Sequence, residues 1–255
     1  MTTVERVVRW VVPAFNEEAS IADLIDRIAA VSSEHCWCYK ILVVDDGSAD
    51  ATGAIAQAKA AEYPVTVRRN EPNAGLGRTI RRGLSEAADA SGPDDVIVTL
   101  DADLTQDPGY APSMLARLDA GDVDVVIASR YRPGAAIEGL SAFRTMLSFG
   151  AGALVLLVRP IKGVRDYSCG FRVYRAQTIR DAFARDSDDF VSEAGFACMV
   201  EIAERLRGHA NFAEVPFVLH YDAKRKESAI EIGPTIRAYL RVIAKVTAPR
   251  RKGTS

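Results

Sequence analysis

The sequence has few of the residues that staple or anchor a chain. Four cysteines in 255 residues are too few for the disulfide framework of a small secreted domain, and reduced thiols are expected. His35, Cys36 and Cys38 sit together and invite a metal reading, but Cys169 and Cys198 each stand alone. Zinc sites take a second ligand pair at a comparable spacing, so packing is the economical role for these side chains. No charge of one sign dominates: 32 Lys and Arg face 34 Asp and Glu, a net charge of −2. That balance argues against a general nucleic-acid binder. No uncharged apolar run approaches the roughly 20 residues of a spanning helix. The longest, Thr145 to Val158, is closed by Arg144 and Arg159. The first ten residues carry Glu5, Arg6 and Arg9 and no signal-peptide core. These absences predict a soluble, cytoplasmic protein. A single domain is expected over residues 1–248, with a disordered basic tail at 249–255.

What the chain does have is alternation. Val7 to Val12 reads as a strand stopped by Pro13. Ile21, Leu24, Ile25 and Ile28 then recur at helical spacing, behind Glu17 and Glu18. Lys40–Val44, Val65–Val67, Val96–Leu100 and Val125–Ala128 read as further strands, with helices at 50–62, from Asn73 through Leu84, and at 108–119. This β-α-β-α order predicts an α/β fold, with a mostly parallel sheet and helices on both faces. The second half is less regular. Helices are expected at 140–158, 193–206 and 230–247, with an extended stretch from Phe212 to Leu219.

The polar motifs fall just after strands, where open α/β sheets bind ligands. Asp101-Ala102-Asp103 ends an apolar strand. Two carboxylates one residue apart repel each other unless a cation neutralises them, and a hard divalent ion would do so while bridging to phosphates. A solvated pair at a loop start is the plainer reading of that motif alone. Asp45-Asp46-Gly47-Ser48 suits contacts to a base or ribose, or equally an Asp-Gly turn. Pro13-Ala14-Phe15-Asn16-Glu17 offers an aromatic face and an acid, and Gly75-Leu76-Gly77 opens a helix where a phosphate can approach or a helix can pack closely. Four such signals at successive strand ends outweigh any one of them.

Taken in order, VVPAFNEEASI (11–21), ILVVDDGSADAT (41–52), NAGLGRTIRRG (73–83), VTLDADLTQDP (98–108), IASRY (127–131) and DYSCGFRVYR (166–175) resemble the inverting nucleotide-sugar glycosyltransferases of the GT-A fold. The similarity is to the branch that includes dolichyl- and polyprenyl-phosphate mannosyltransferases. It implies a Rossmann-like nucleotide-binding sheet in a single domain. It implies donor contacts from Pro13, Phe15, Glu17, Asp45, Asp46, Gly75, Gly77, Asp101, Ala102 and Asp103. Asp101 and Asp103, with Thr105, would hold Mg²⁺ or Mn²⁺ on the donor diphosphate. Arg130, Arg144, Ser148, Arg172, Arg225 and Lys226 would line the acceptor side. Asp166, Ser168, Gly170, Phe171 and Arg172 match a loop that shapes the sugar pocket.

Three departures qualify the match. Thr105 stands where relatives have a metal-contacting Gln, and Gln106 comes one step late. The late Gly-x-Ser-Lys signature reads Lys226-Glu227-Ser228-Ala229, and Ala229 cannot bind phosphate. The membrane helices that follow this region in many relatives are not in this sequence. The implied activity is metal-dependent, inverting transfer of a hexose from a nucleoside diphosphate sugar, GDP-mannose or a UDP-sugar. The implied acceptor is a polyprenyl phosphate. A soluble hydroxyl acceptor and a non-catalytic nucleotide-sugar-binding protein stay open. A hydroxyl acceptor would require a general base, for which Asp166 is the first candidate and Glu193 the second. The apolar stretch 140–158 could meet a membrane at the cytoplasmic face, and a homodimer or a membrane subunit stays open as a partner.

Overall fold

The computed structural model describes residues 6–139, 155–223 and 232–247. Strand β1 (Val7–Ala14) leads into helix α1 (Ile21–Glu34), then β2 (Cys38–Asp45), α2 (Thr52–Ala58), β3 (Val65–Arg69), α3 (Leu76–Asp89) and β4 (Val96–Thr99). After α4 (Ala111–Asp119) come β5 (Val125–Ser129) and the short β6 (Ala136–Glu138). The chain continues through β7 (Arg172–Arg175), α5 (Ala176–Asp186), α6 (Ala197–Leu206), β8 (Phe212–Pro216), β9 (Val218–His220) and α7 (Ile232–Thr247).

Seven strands form the main sheet in the order β3-β2-β1-β4-β7-β5-β8, and β6 and β9 form a separate parallel pair. Chain order runs outward from β1 to β3 and then returns to β4 on the other side of β1. The carboxyl ends of β1 and β4 therefore diverge and leave a crevice, the position where open α/β sheets take ligands. Val11, Val12, Val43, Val44, Ile97 and Val98 are all fully buried, because helices cover both faces of the parallel strands.

Pro13 does not stop β1. The strand continues to Ala14, which pairs with Asp45. Ala14 accepts from Asp46 on the β2 side, and Val11 accepts from Leu100 on the β4 side. Alternation turns Pro13 toward β4, whose ladder has already ended at Val11, so no sheet bond is lost there. A second difference is β7. It lies antiparallel between β4 and β5, although Arg172-Val173-Tyr174-Arg175 has too few apolar residues to read as a central strand. The stretch from Phe212 to Leu219 is extended, but Pro216 ends β8 in the main sheet and β9 joins the small one. Most of 140–158 lies outside the described residues, and 155–158 is helical.

Candidate active site

The crevice is built by loops that stitch adjacent strand ends together. After β1, Phe15 is exposed (44%), and the Asn16 amide donates to Ser48 Oγ at 2.9 Å. Glu17 N donates to Thr52 Oγ1 at 2.7 Å, and Asn16 Oδ1 accepts from Ala49 N. The aromatic ring thus stands at the crevice on a loop pinned to the end of β2.

Asp45 and Asp46 are both buried. Asp45 accepts from the Ser48 amide at 2.9 Å and forms an ion pair with Arg69. This fully buried carboxylate holds its own turn at the end of β2. The Asp46 carboxylate accepts from Asn70 Nδ2 at 2.9 Å and from the amides of Ala74 and Gly75, each at 2.8 Å. It reaches the crevice chiefly through the loop it fixes. Gly75 sits there at φ +85° with open space beside its Cα, a conformation that favours glycine. Gly77 has a different job: a Cβ at Gly77 would run into the Glu193 carbonyl oxygen. The missing side chain lets α3 pack closely against the chain at Glu193.

Past β4 the two acids each have a partner supplied from their own loop. Gln106 Nε2 donates to Asp101 Oδ2 at 2.8 Å, while the Asp101 amide donates back to Gln106 Oε1 at 3.0 Å. Thr105 donates to Asp103 Oδ1 from its hydroxyl at 2.7 Å and from its amide at 3.2 Å. Thr105 is buried, and its hydroxyl orients the Asp103 carboxylate. Gln106, one position late, thus holds Asp101 while Thr105 holds Asp103. A Cβ at Gly170 would lie 2.9 Å from Asp101 Oδ1, and Thr99 Oγ1 donates to the Gly170 carbonyl at 2.6 Å. The glycine leaves a cradle for the Asp101 carboxylate. Two half-exposed carboxylates held in this way suit a hard divalent ion such as Mg²⁺ or Mn²⁺.

The third group lies after β5. Arg130 grips Asp166 with Nε on Oδ2 and Nη2 on Oδ1, both at 2.7 Å, and Nη2 also reaches Ser168 Oγ at 2.7 Å. Asp166 further accepts from the amides of Arg130 and Cys169. Burial by itself would raise the Asp166 pKa, but the guanidinium beside it holds it below the usual aspartate value. The enclosed, ion-paired carboxylate shapes this loop. Burial by itself would lower the Arg130 pKa, but the Asp166 carboxylate lifts it well above its ordinary value.

Arg172 is a clearer correction. It is fully buried and donates to the carbonyls of Cys169 at 2.8 Å, Met199 at 3.0 Å and Tyr167 at 2.7 Å. Its guanidinium ties the Asp166–Gly170 loop to α6 from beneath and cannot reach an acceptor. Glu193, the second base candidate, lies in ion-pair range of Arg241 at 3.5 Å and Lys245 at 4.0 Å on α7. Arg144, Ser148, Arg225 and Lys226 lie outside the described residues. Sequence reasoning missed Arg69 and the α7 cations, whose partners are distant along the chain. The Cys36–Cys38 group stays free of disulfides.

A mostly parallel sheet that reverses beside β1, with an Asp-x-Asp pair at the mouth of the resulting crevice, defines the GT-A class of Rossmann-like glycosyltransferase fold. The chain belongs to the family described as Glycosyl transferase family 2, whose model matches residues 10–183. Among curated relatives, the dolichol-phosphate mannosyltransferase of Pyrococcus furiosus is 31% identical over 237 residues, covering 92% of this chain and 62% of the relative. The polyprenol monophosphomannose synthase of Mycolicibacterium smegmatis is 32% identical, covering 71% and 66%. The dodecaprenyl-phosphate galacturonate synthase of Rhizobium johnstonii is 33% identical, covering 67% and 48%. The chain therefore spans about half to two thirds of the length of these relatives. Among solved structures, glucosyl-3-phosphoglycerate synthase from Mycobacterium tuberculosis, crystallised with Mn²⁺, UDP and phosphoglyceric acid, superposes with a TM-score of 0.70 at 20% identity. The match covers 97% of this chain and 81% of that one. That likeness is one of fold.

Proposed function

We propose that this chain transfers a hexose from a nucleoside diphosphate sugar to a polyprenyl phosphate, with inversion and with Mg²⁺ or Mn²⁺. The observation that carries this reading is the Asp101–Asp103 pair, oriented by Gln106 and Thr105 at the crevice between β1 and β4. These two acids would hold the divalent ion, which supplies neutralising charge for the leaving diphosphate, worth several kcal/mol in such sites. Phe15 offers its exposed face to the base, and the loop held by Asp46 presents Gly75 to the phosphates.

The acceptor class follows from the state of the acids. A hydroxyl must lose its proton to a base, whereas a phosphate monoester is already ionised near neutral pH. Asp166 is gripped by Arg130, and Glu193 faces Arg241 and Lys245; both base candidates are paired with cations. This favours an anionic acceptor, in keeping with the polyprenyl- and dolichol-phosphate names of the relatives. No helix among the described residues is long and apolar enough to cross a membrane. Leu157 and Val158, at the described end of the apolar stretch, are 82% and 54% exposed. They support a peripheral contact with the bilayer that would carry such a lipid.

The test is a matrix of GDP-mannose, UDP-glucose and UDP-N-acetylglucosamine against polyprenyl phosphate and a soluble hydroxyl acceptor, with and without Mn²⁺. Metal-dependent formation of a lipid-phosphate hexose with inverted anomeric configuration is expected from one donor. Asp103→Ala should abolish it while the melting curve stays cooperative. Full activity in that variant, or transfer only to the hydroxyl, would overturn the metal or the acceptor assignment respectively.

A further inference from the structure

Outside the Asp101–Asp103 crevice, the small sheet gathers a second set of metal-ligating side chains. Glu138 ends β6 and His220 ends β9, and the two are direct partners in the parallel ladder. Partners in a ladder project to the same face, so a carboxylate and an imidazole stand side by side. Asp222 follows in the turn Tyr221–Ala223. One ligand atom from each of the three lies within 4.8 Å of the others, and His220 Nδ1 is 3.1 Å from Glu138 Oε2. Ligands at about 2.0–2.2 Å from a shared ion are about 3–4 Å apart, so closing this set requires only small side-chain rotations.

The backbone is shaped to permit the approach. Gly139 has φ +75°, and a Cβ there would fall within 3.0 Å of the Asp222 amide nitrogen, Cα and Cβ. Any other residue would push Asp222 away from Glu138. The side chains of His220 and Glu138 are 40% and 55% exposed, open to an ion from solvent.

We propose that Glu138, His220 and Asp222 form a divalent-cation site separate from the Asp101–Asp103 pair. One imidazole and two carboxylates suit Zn²⁺, or Mn²⁺, which accepts an imidazole beside carboxylates, better than Mg²⁺, which prefers all-oxygen sites that keep several waters. The site is connected to the crevice. The His220 amide donates to the Thr105 carbonyl at 3.0 Å, and Thr105 in turn holds Asp103. An ion at His220 clamps β6, β9 and the Tyr221–Ala223 turn together and steadies the loop that orients a crevice acid. The simpler alternative is a surface ion pair between His220 and Glu138 with Asp222 as a bystander, which stabilises the chain little.

Metal binding without nucleotide tells these apart, and it does so independently of any transfer activity. The full chain carrying Asp101→Asn and Asp103→Asn is titrated with Mn²⁺, and separately with Zn²⁺, by calorimetry, with the Mn²⁺ spectrum read by electron paramagnetic resonance. One bound ion is expected. Adding His220→Gln or Glu138→Gln should weaken it by at least about tenfold, since losing even an outer partner of a ligand costs that much. Melting curves accompany each titration: the ion should raise the midpoint of the double variant and leave that of the Glu138→Gln variant unchanged. The proposal is overturned if the double variant binds no ion, or if both glutamine variants bind it as tightly as their parent.

Discussion

Asp166 illustrates how a partner decides what a carboxylate can do. In sequence it is an acid in a pocket loop; in the structure it is enclosed and gripped by Arg130 through two 2.7 Å contacts. Its pKa lies lower in the folded than in the unfolded chain, so the pair stabilises the protein above the unfolded value. That contribution is lost as pH falls past 3.8 and through the folded pKa. Asp166→Asn should cost about 3–5 kcal/mol near neutral pH, because it leaves a guanidinium buried without its counter-charge. The gap to the unsubstituted protein should close as the pH is taken below 3.8, measured by urea unfolding at each pH. Gly170 is the other decisive single residue. Gly170→Ala puts a methyl 2.9 Å from Asp101 Oδ1 and displaces that carboxylate. Transfer at fixed Mn²⁺ should fall at least about tenfold, the cost of roughly 1.4 kcal/mol in the transition state. The metal concentration needed for half activity should rise as well, while the melting temperature changes by only a few degrees.

At the scale of elements, helix α3 reaches its place through glycines. Gly83 lies against Val11, and Gly77 against the Glu193 carbonyl, so α3 packs closely on β1 and on the chain before α6. A side chain at Gly77 has rigid backbone to displace. Gly77→Ala should therefore destabilise the fold by at least about 1–3 kcal/mol, read as a lower urea midpoint with unchanged slope. A phosphate-contact role would instead leave stability intact and lower nucleotide affinity. Helix α7 buries Tyr239 and Val242 and also makes ion pairs to the chain before and within α6. Lys245 pairs with Glu201, which is fully buried, and reaches toward Glu193. Those pairs are why Glu193 faces cations, a fact invisible while residues 193 and 245 are read separately.

Over the whole molecule, the sheet order places the carboxyl ends of β1, β2, β4 and β5 on one edge, so the loops that follow them gather there. Nucleotide binding in that crevice should report on the intact fold. The cognate nucleoside diphosphate with Mn²⁺ should raise the melting midpoint by several degrees, since occupancy at about 100 times Kd adds about 2.7 kcal/mol. Asp103→Ala should lose the metal-dependent part of that rise. Only one nucleotide of a GDP and UDP pair should give the full shift in a thermal scan.

How much of this could be read in advance depended on the range of the interaction. Apolar periodicity located β1 to β5 and α1 to α4, because covered parallel strands and amphipathic helices write their burial into neighbouring residues. The motif order from Phe15 to Asp103 likewise placed polar residues at successive strand ends, where the structure has them. Sequence alone therefore determined the fold class, the family resemblance and the pair of acids suited to a metal. The tertiary structure decided which charged groups face the crevice. Arg172 lies beneath the Asp166–Gly170 loop because three carbonyls there needed donors, Arg130 belongs to Asp166, and β7 runs antiparallel through the centre of the sheet. It also brought Glu138 together with His220, 82 residues away. Such long-range pairings depend on distance in space and carry no periodic signal along the chain.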